Sequence, residues 1–278
     1  MSDAHSISIV NLRQRWRADG PWVLDVPAFN MAAHEQVFLA GPSGTGKSTL
    51  LAVLCGVVGA SINRQERKEG QEDQDVQVQV LGRAMHALPA ADRDQLRADQ
   101  MGVIFQLFNL LPFLSAVDNV LLAGQFAPAR RARAAARSGS AKQEVERLLA
   151  ALQLPRAVWT RRATELSVGQ QQRVAAARAL FGGPRMVFAD EPTSALDSDA
   201  RNTFIDLLQS ECRATGAALL FVSHDRSLAP RFDRSVELKQ INRAHFDEAH
   251  SISQHASTAT QATAPQAERA AAQTRTTR

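Results

Sequence analysis

The chain has 278 residues, 45% of them apolar, and a net charge of +4 with a sequence pI near 9.7. That is material for one large domain or two small ones, but its longest apolar stretches, such as 217–222, fall far short of the roughly 20 residues needed to cross a bilayer. Two cysteines, Cys55 and Cys212, are too few for a disulfide framework or a zinc site and read as buried thiols.

Met1–His5 lacks the basic and apolar regions of a secretory signal, which predicts a cytosolic protein. Residues 6–40 read as short strands with turn signals at Asp19-Gly20-Pro21 and at Pro27. Gln36–Ala40 is a short buried strand, and Ser48–Leu54 opens a helix. Between them lies Gly41-Pro42-Ser43-Gly44-Thr45-Gly46-Lys47-Ser48-Thr49, which fits the Walker A pattern of nucleoside-triphosphate binders. Glycines let such a loop curl so that backbone N–H groups converge on phosphate oxygens, and the helix N-terminus adds its dipole. Lys47 would reach the β- and γ-phosphates, and Ser48 would place its hydroxyl on the magnesium ion that bridges them.

Residues 61–75 are dense in charged and amide side chains without apolar periodicity and predict a solvated insertion. Val76, Val78 and Val80 alternate with Gln77 and Gln79, a half-exposed strand that continues the β layer. From Leu107 to Glu165 helical signals dominate, with Val145, Leu148, Leu149 and Leu152 on one face. Arg130, Arg131, Arg133, Arg137 and Lys142 cluster here. They suit either anionic lipid or nucleic-acid contact or a solvated helix face, and the absence of interleaved aromatics favours the solvated face.

Ser167 is positioned to cap a helix running through Ala175–Leu180, and Ser167-Val168-Gly169-Gln170 offers little side-chain bulk, a second phosphate cradle. One nucleotide hardly needs two cradles from one chain, so the second is expected to serve a neighbouring subunit. Arg185–Ala189 is an apolar strand that delivers Asp190 and Glu191 to its carboxyl end, where ligands of open α/β sheets sit. Asp190 would hold magnesium, and Glu191 would orient and polarise the attacking water. Ala218–Ser223 repeats the geometry and presents His224. A lone histidine is more often a cap or core residue, but three strand ends converging on one crevice favour a donor to the γ-phosphate. The segment from about Arg243 to Arg278 is rich in Ala, Thr, Gln and Ser and is expected to be disordered.

These motifs, in this order, resemble the ATP-binding subunit of an ATP-binding cassette transporter over residues 6–242. Phe105-Gln106 resembles the Q-loop, Leu166–Gln170 the signature motif, Asp190-Glu191-Pro192 the Walker B end, Ser194–Asp197 the D-loop and Ser223-His224-Asp225 the switch histidine. Phe105–Pro112 and Ala189–Asp197 look most like the lipoprotein-releasing and macrolide-export branch. The resemblance implies an α/β P-loop NTPase with a RecA-like core, an antiparallel β layer and an α-helical subdomain inserted at 107–165. It implies ATP and Mg2+ as ligands, Gln106 beside the metal, and an ATP sandwich closed by Ser167, Gly169, Gln170 and Asp197 of a second copy or close homologue. Separate transmembrane permease subunits would be driven from the cytoplasmic face of the membrane, for export or lipoprotein or lipid extraction, with no nucleic-acid partner. The rival is a soluble cassette ATPase of nucleic-acid repair or translation, which usually carries two cassettes or a long coiled coil. The sequence departs from the family in having Val168 where the signature's first glycine stands and His34-Glu35 where Gly-Glu is common. It also lacks tyrosine, so Trp16, or less favourably Trp22, is the match for the aromatic that stacks on adenine.

Overall fold

The computed structural model describes residues 5–59 and 76–244, so the expected insertion at 61–75 and nearly all of the expected tail lie outside the described residues. The chain opens with β1 (His5–Gln14), β2 (Leu24–Ala32), β3 (Gln36–Ala40) and helix α1 (Lys47–Leu54). Next come β4 (Gln77–Val80), β5 (Arg83–Ala84), α2 (Ala90–Gln100) and β6 (Met101–Ile104). Helices α3 (Ala116–Leu121), α4 (Pro128–Ser138) and α5 (Ala141–Ala151) follow. The order then alternates through α6 (Val168–Leu180), β7 (Met186–Asp190), α7 (Ser198–Thr215), β8 (Ala218–Ser223), β9 (Arg234–Glu237) and the short α8 (Leu238–Ile241).

Two sheets result, and their sequence patterns differ for a physical reason. In β1, Ile7, Ile9 and Leu12 are buried while Val10 and Arg13 face outward, the alternation of a sheet with one wet face. It pairs antiparallel with β2 and β4, giving the order β2-β1-β4-β5. The expected turn at Pro27 is not there. Pro27 lies inside β2, an edge strand of this sheet, where a missing N–H costs no ladder bond.

The second sheet is parallel, in the order β6-β7-β8-β3-β9. Its central strands are buried on both faces and so read as unbroken apolar runs. Phe38, Val187, Ala189, Leu219 and Phe221 pack into the core under the helices, and Val37, Leu39, Met186, Phe188, Leu220 and Val222 into the core shared with β1, β2 and α1. Both cysteines are buried in these cores, and burial pushes each thiol up to about 12.

β6 passes close beneath α6. A Cβ on Gly102 would stand 2.3 Å from the Ala179 carbonyl oxygen. Gly102→Ala must therefore part strand and helix, and is expected to destabilise the protein by about 2–3 kcal/mol, read from the denaturant midpoint.

The basic cluster is the main correction to the sequence reading. Arg130 is only 5% exposed. Its guanidinium donates to the carbonyls of Phe181 (2.8 Å), Ala179 (2.6 Å), Met101 (3.2 Å), Ala98 (3.4 Å) and Arg178 (3.4 Å). Arg133 turns the same way, to the carbonyls of Gly182 and Asp99. These acceptors include carbonyls that the C-terminal ends of α2 and α6 leave without intrahelical partners. Arg130 thus ties the helical segment to the parallel sheet, while Arg131, Arg137 and Lys142 remain exposed. Burial pushes the Arg130 guanidinium down to about 10, with Arg133 beside it acting in the same direction. At neutral pH it still carries its charge.

Candidate active site

The register of the parallel sheet fixes the site. Ala40 pairs with Ser223, Asp190 with Val222, and Ile104 with Ala189. The residues that follow, Gly41, His224, Glu191 and Phe105-Gln106, therefore leave the sheet along the same carboxyl edge.

The loop after β3 is shaped by its glycines. Gly44 and Gly46 have φ of 80° and 95°, and a Cβ on Gly46 would meet Leu24 Cδ2 and the Val23 carbonyl at 3.1 Å. Thr45 Oγ1 donates to the Pro42 carbonyl (2.8 Å), while Pro42, Ser43 and Ser48 face solvent. α1 begins at Lys47 with no acidic residue in its first turn, so its dipole is free to favour an anion. Thr49 is buried in that first turn.

Lys47 is buried and donates to the carbonyls of Gly41 (2.7 Å) and Pro42 (2.9 Å). Its Nζ also lies 3.1 Å from Glu191 Oε1. The other oxygen of that carboxylate, Oε2, is 2.8 Å from His224 Nδ1. A carboxylate only accepts, so Nδ1 carries the proton in this contact, and donation from Nε2 requires the imidazolium. Asp190 instead receives a hydrogen bond from Ser48, and its carboxyl sits above the usual range because burial, reinforced by Glu191, outweighs Ser48 and Lys47. The neighbouring carboxylates face different partners because Glu191 is left-handed, with φ of 44°, while its N–H still bonds the Val222 carbonyl (2.9 Å).

The second cradle is built as a helix start. Ser167 caps α6 by accepting from the Gln170 N–H (3.4 Å), and Gln170 Oε1 accepts from the Ser167 N–H (3.0 Å). Val168 is exposed. A Cβ on Gly169 would lie 3.5 Å from Leu196 Cδ2, which joins this segment to the turn before α7. Asp197 caps α7, accepting from the Ala200 N–H (2.8 Å). An open cleft of about 480 Å³ lies between that turn and His224, lined by Thr193, Ser194, Arg201, Ser223, Asp225, Arg226 and Ser227.

Gln106 is exposed beyond β6. Sequence reasoning missed the residue that holds its loop: Arg178 of α6 donates to the carbonyls of Phe108 (2.7 Å) and Asn109 (2.6 Å), both of which have positive φ. An arginine in the last turn of an alanine-rich helix carries no signal of that role. Of the two tryptophans considered for the adenine, Trp22 lies beneath the guanidinium of Arg15 at 4.6 Å, whereas Trp16 is 62% exposed.

The fold and this edge define a P-loop nucleoside triphosphatase. Residues 24–194 match the family described as ABC transporter, and the chain belongs to it as an ATP-binding, ATP-hydrolysing subunit. The lipoprotein-releasing system ATP-binding protein LolD 2 of Rhodopseudomonas palustris is 36% identical over 217 residues, covering 78% of this chain and 84% of the relative. LolD of Anaeromyxobacter dehalogenans is 41% identical over 208 residues, covering 75% and 79%. The dimeric structure of MJ0796, a bacterial ABC transporter cassette, superposes with a TM-score of 0.67 at 28% identity, covering 83% of this chain and 93% of that one. A dimeric post-hydrolysis state of the same cassette, bound to ADP and Pi, also matches, with a TM-score of 0.66. The soluble nucleic-acid reading finds no support among these relatives.

Proposed function

We propose that the chain hydrolyses ATP as half of a dimer in which each nucleotide lies between the phosphate loop of one copy and Ser167, Gly169 and Gln170 of the other. The observation that carries the reading is the Lys47–Glu191–His224 line at the ends of three adjacent parallel strands. Lys47 binds the β- and γ-phosphates, Glu191 draws the proton of the attacking water, and His224 holds the Glu191 carboxylate in orientation. Trp16 stacks on adenine, and Asp197 lies on the shared face. The ATPase domain spans 6–242, with 107–165 as its helical subdomain.

The residues present suit Mg2+. Ser48 hydrogen-bonds Asp190 beside the phosphate loop, which sets one hydroxyl and one carboxylate together, and Mg2+ is held by one or two carboxylates plus phosphate oxygens. Ser48, Asp190 and Gln106 would hold it, and the ion supplies neutralisation of the phosphate charge.

Separate permease subunits do the work on a cargo in or across a bilayer, a reading that the family supports; no helix among the described residues is long and apolar enough to cross a membrane. The permeases dock at the helical subdomain, in which Leu107, next to Gln106 in the chain, Phe113 and Phe126 are exposed by 84%, 67% and 75%. An apolar surface of this kind suits a partner helix. The subunit then works at the cytoplasmic face of the membrane, with a lipoprotein or lipid cargo as in the relatives named for lipoprotein release.

Lys47→Ala tests the reading. It removes charged hydrogen bonds to the phosphates and is expected to weaken ATP binding by about 10- to 100-fold in a titration. Unchanged affinity would remove the phosphate-loop assignment.

A further inference from the structure

The last described turn of the chain holds the segment that leads into β2. Asn242 follows α8 and is 5% exposed. Its Oδ1 accepts from the N–H groups of Asp25 (2.7 Å) and Ala244 (3.2 Å), and its Nδ2 donates to the Val23 carbonyl (3.0 Å). The Arg243 N–H adds a bond to the Asp25 carbonyl (2.7 Å).

The segment held in this way touches both sides of the nucleotide site. The Val23 carbonyl and Leu24 Cδ2 stand 3.1 Å from where a Cβ on Gly46 would lie. The Val23 N–H donates to the Gln14 carbonyl (2.8 Å) and closes the loop that carries Trp16 and Trp22. At the start of α8, buried Leu238 has its Cβ 3.5 Å from where a Cβ on Gly41 would lie. Both ends of the glycine run thus rest on the Val23–Leu24 segment and α8, and Asn242 links the two.

We propose that Asn242 is a positioning residue that fixes the loop at 15–23 against the phosphate loop, and so sets affinity for the adenine end of ATP rather than for its phosphates. The inference rests on reading 15–23 as the base-side loop. Its chemistry needs an amide, because one side chain must accept from Asp25 and donate to Val23 at once. A carboxylate keeps the first bond and sets a negative oxygen against the Val23 carbonyl.

The test compares wild type with Asn242→Asp in the full chain, using ATP as substrate and inorganic tripolyphosphate as competitive inhibitor. The expected result is a KM for ATP raised about three- to ten-fold, with kcat and the tripolyphosphate inhibition constant unchanged within about twofold. An unchanged KM, or equal weakening of ATP and tripolyphosphate, overturns the proposal. If the variant does not fold, amide hydrogen exchange of the wild type decides. The Asp25 N–H should be better protected by saturating ATP than by saturating tripolyphosphate, and equal protection counts against Asn242. Lys47→Ala keeps the two readings separate, since it should weaken both ligands whatever Asn242 does.

Discussion

Glu191→Gln is expected to lower ATP turnover by roughly 10²–10⁴-fold, the usual contribution of a positioned general base. The amide matches the carboxylate in shape but cannot take a proton from water. ATP binding should persist or tighten, because a negative charge 3.1 Å from Lys47 Nζ is removed from beside the phosphates. With binding intact and turnover stopped, the closed dimer should accumulate and elute as such in size-exclusion chromatography with ATP. Unchanged turnover would take the catalytic role from Glu191 and leave it as a structural partner of His224.

The second large effect is expected far from the nucleotide. Arg130→Met keeps the aliphatic length but strips the hydrogen-bond donors from the carbonyls of Ala98, Met101, Arg178, Ala179 and Phe181. Buried acceptors left without partners cost about 1–3 kcal/mol each when no water reaches them. Relaxation and the relief of a buried charge offset part of that, so a net loss of roughly 3–4 kcal/mol is expected. Calorimetry should show a Tm lower by about 10 °C. A Tm within a degree or two of wild type would mean that the ends of α2 and α6 are held by other contacts.

What could be read in the sequence follows from burial and from local chemistry. β3, β7 and β8 are covered on both faces, so they stand out as apolar runs, and the glycine loop announces itself through spacing alone. The helix N-cap Ser167 was legible because a capping side chain acts within its own turn, whereas the cap that Asp197 makes on α7 was not read. α2 and β6 were not assigned. α2 buries no residue and has no stripe to read, and Gly102 in β6 looks like a strand breaker until the Ala179 carbonyl is seen above it. Arg130, Arg178 and Asn242 escaped for a common reason. Each bonds to backbone carbonyls or amides distant in sequence, and backbone acceptors leave no pattern of partner residues to detect. The basic cluster misled because charge in a sequence does not say whether a guanidinium faces water or the frayed end of a helix.

The left-handed backbone of Glu191 carries a cost that bears on engineering. A non-glycine residue at φ of 44° holds strain that the surrounding fold must absorb, of the order of 1–3 kcal/mol where the side chain is bulky. Glycine or asparagine would sit there more comfortably, so a selection for thermal robustness alone would be drawn to this position and would return a sturdier, idle protein. Screens for hardier variants of this subunit therefore need an ATP-turnover criterion from the first round, with residue 191 held fixed.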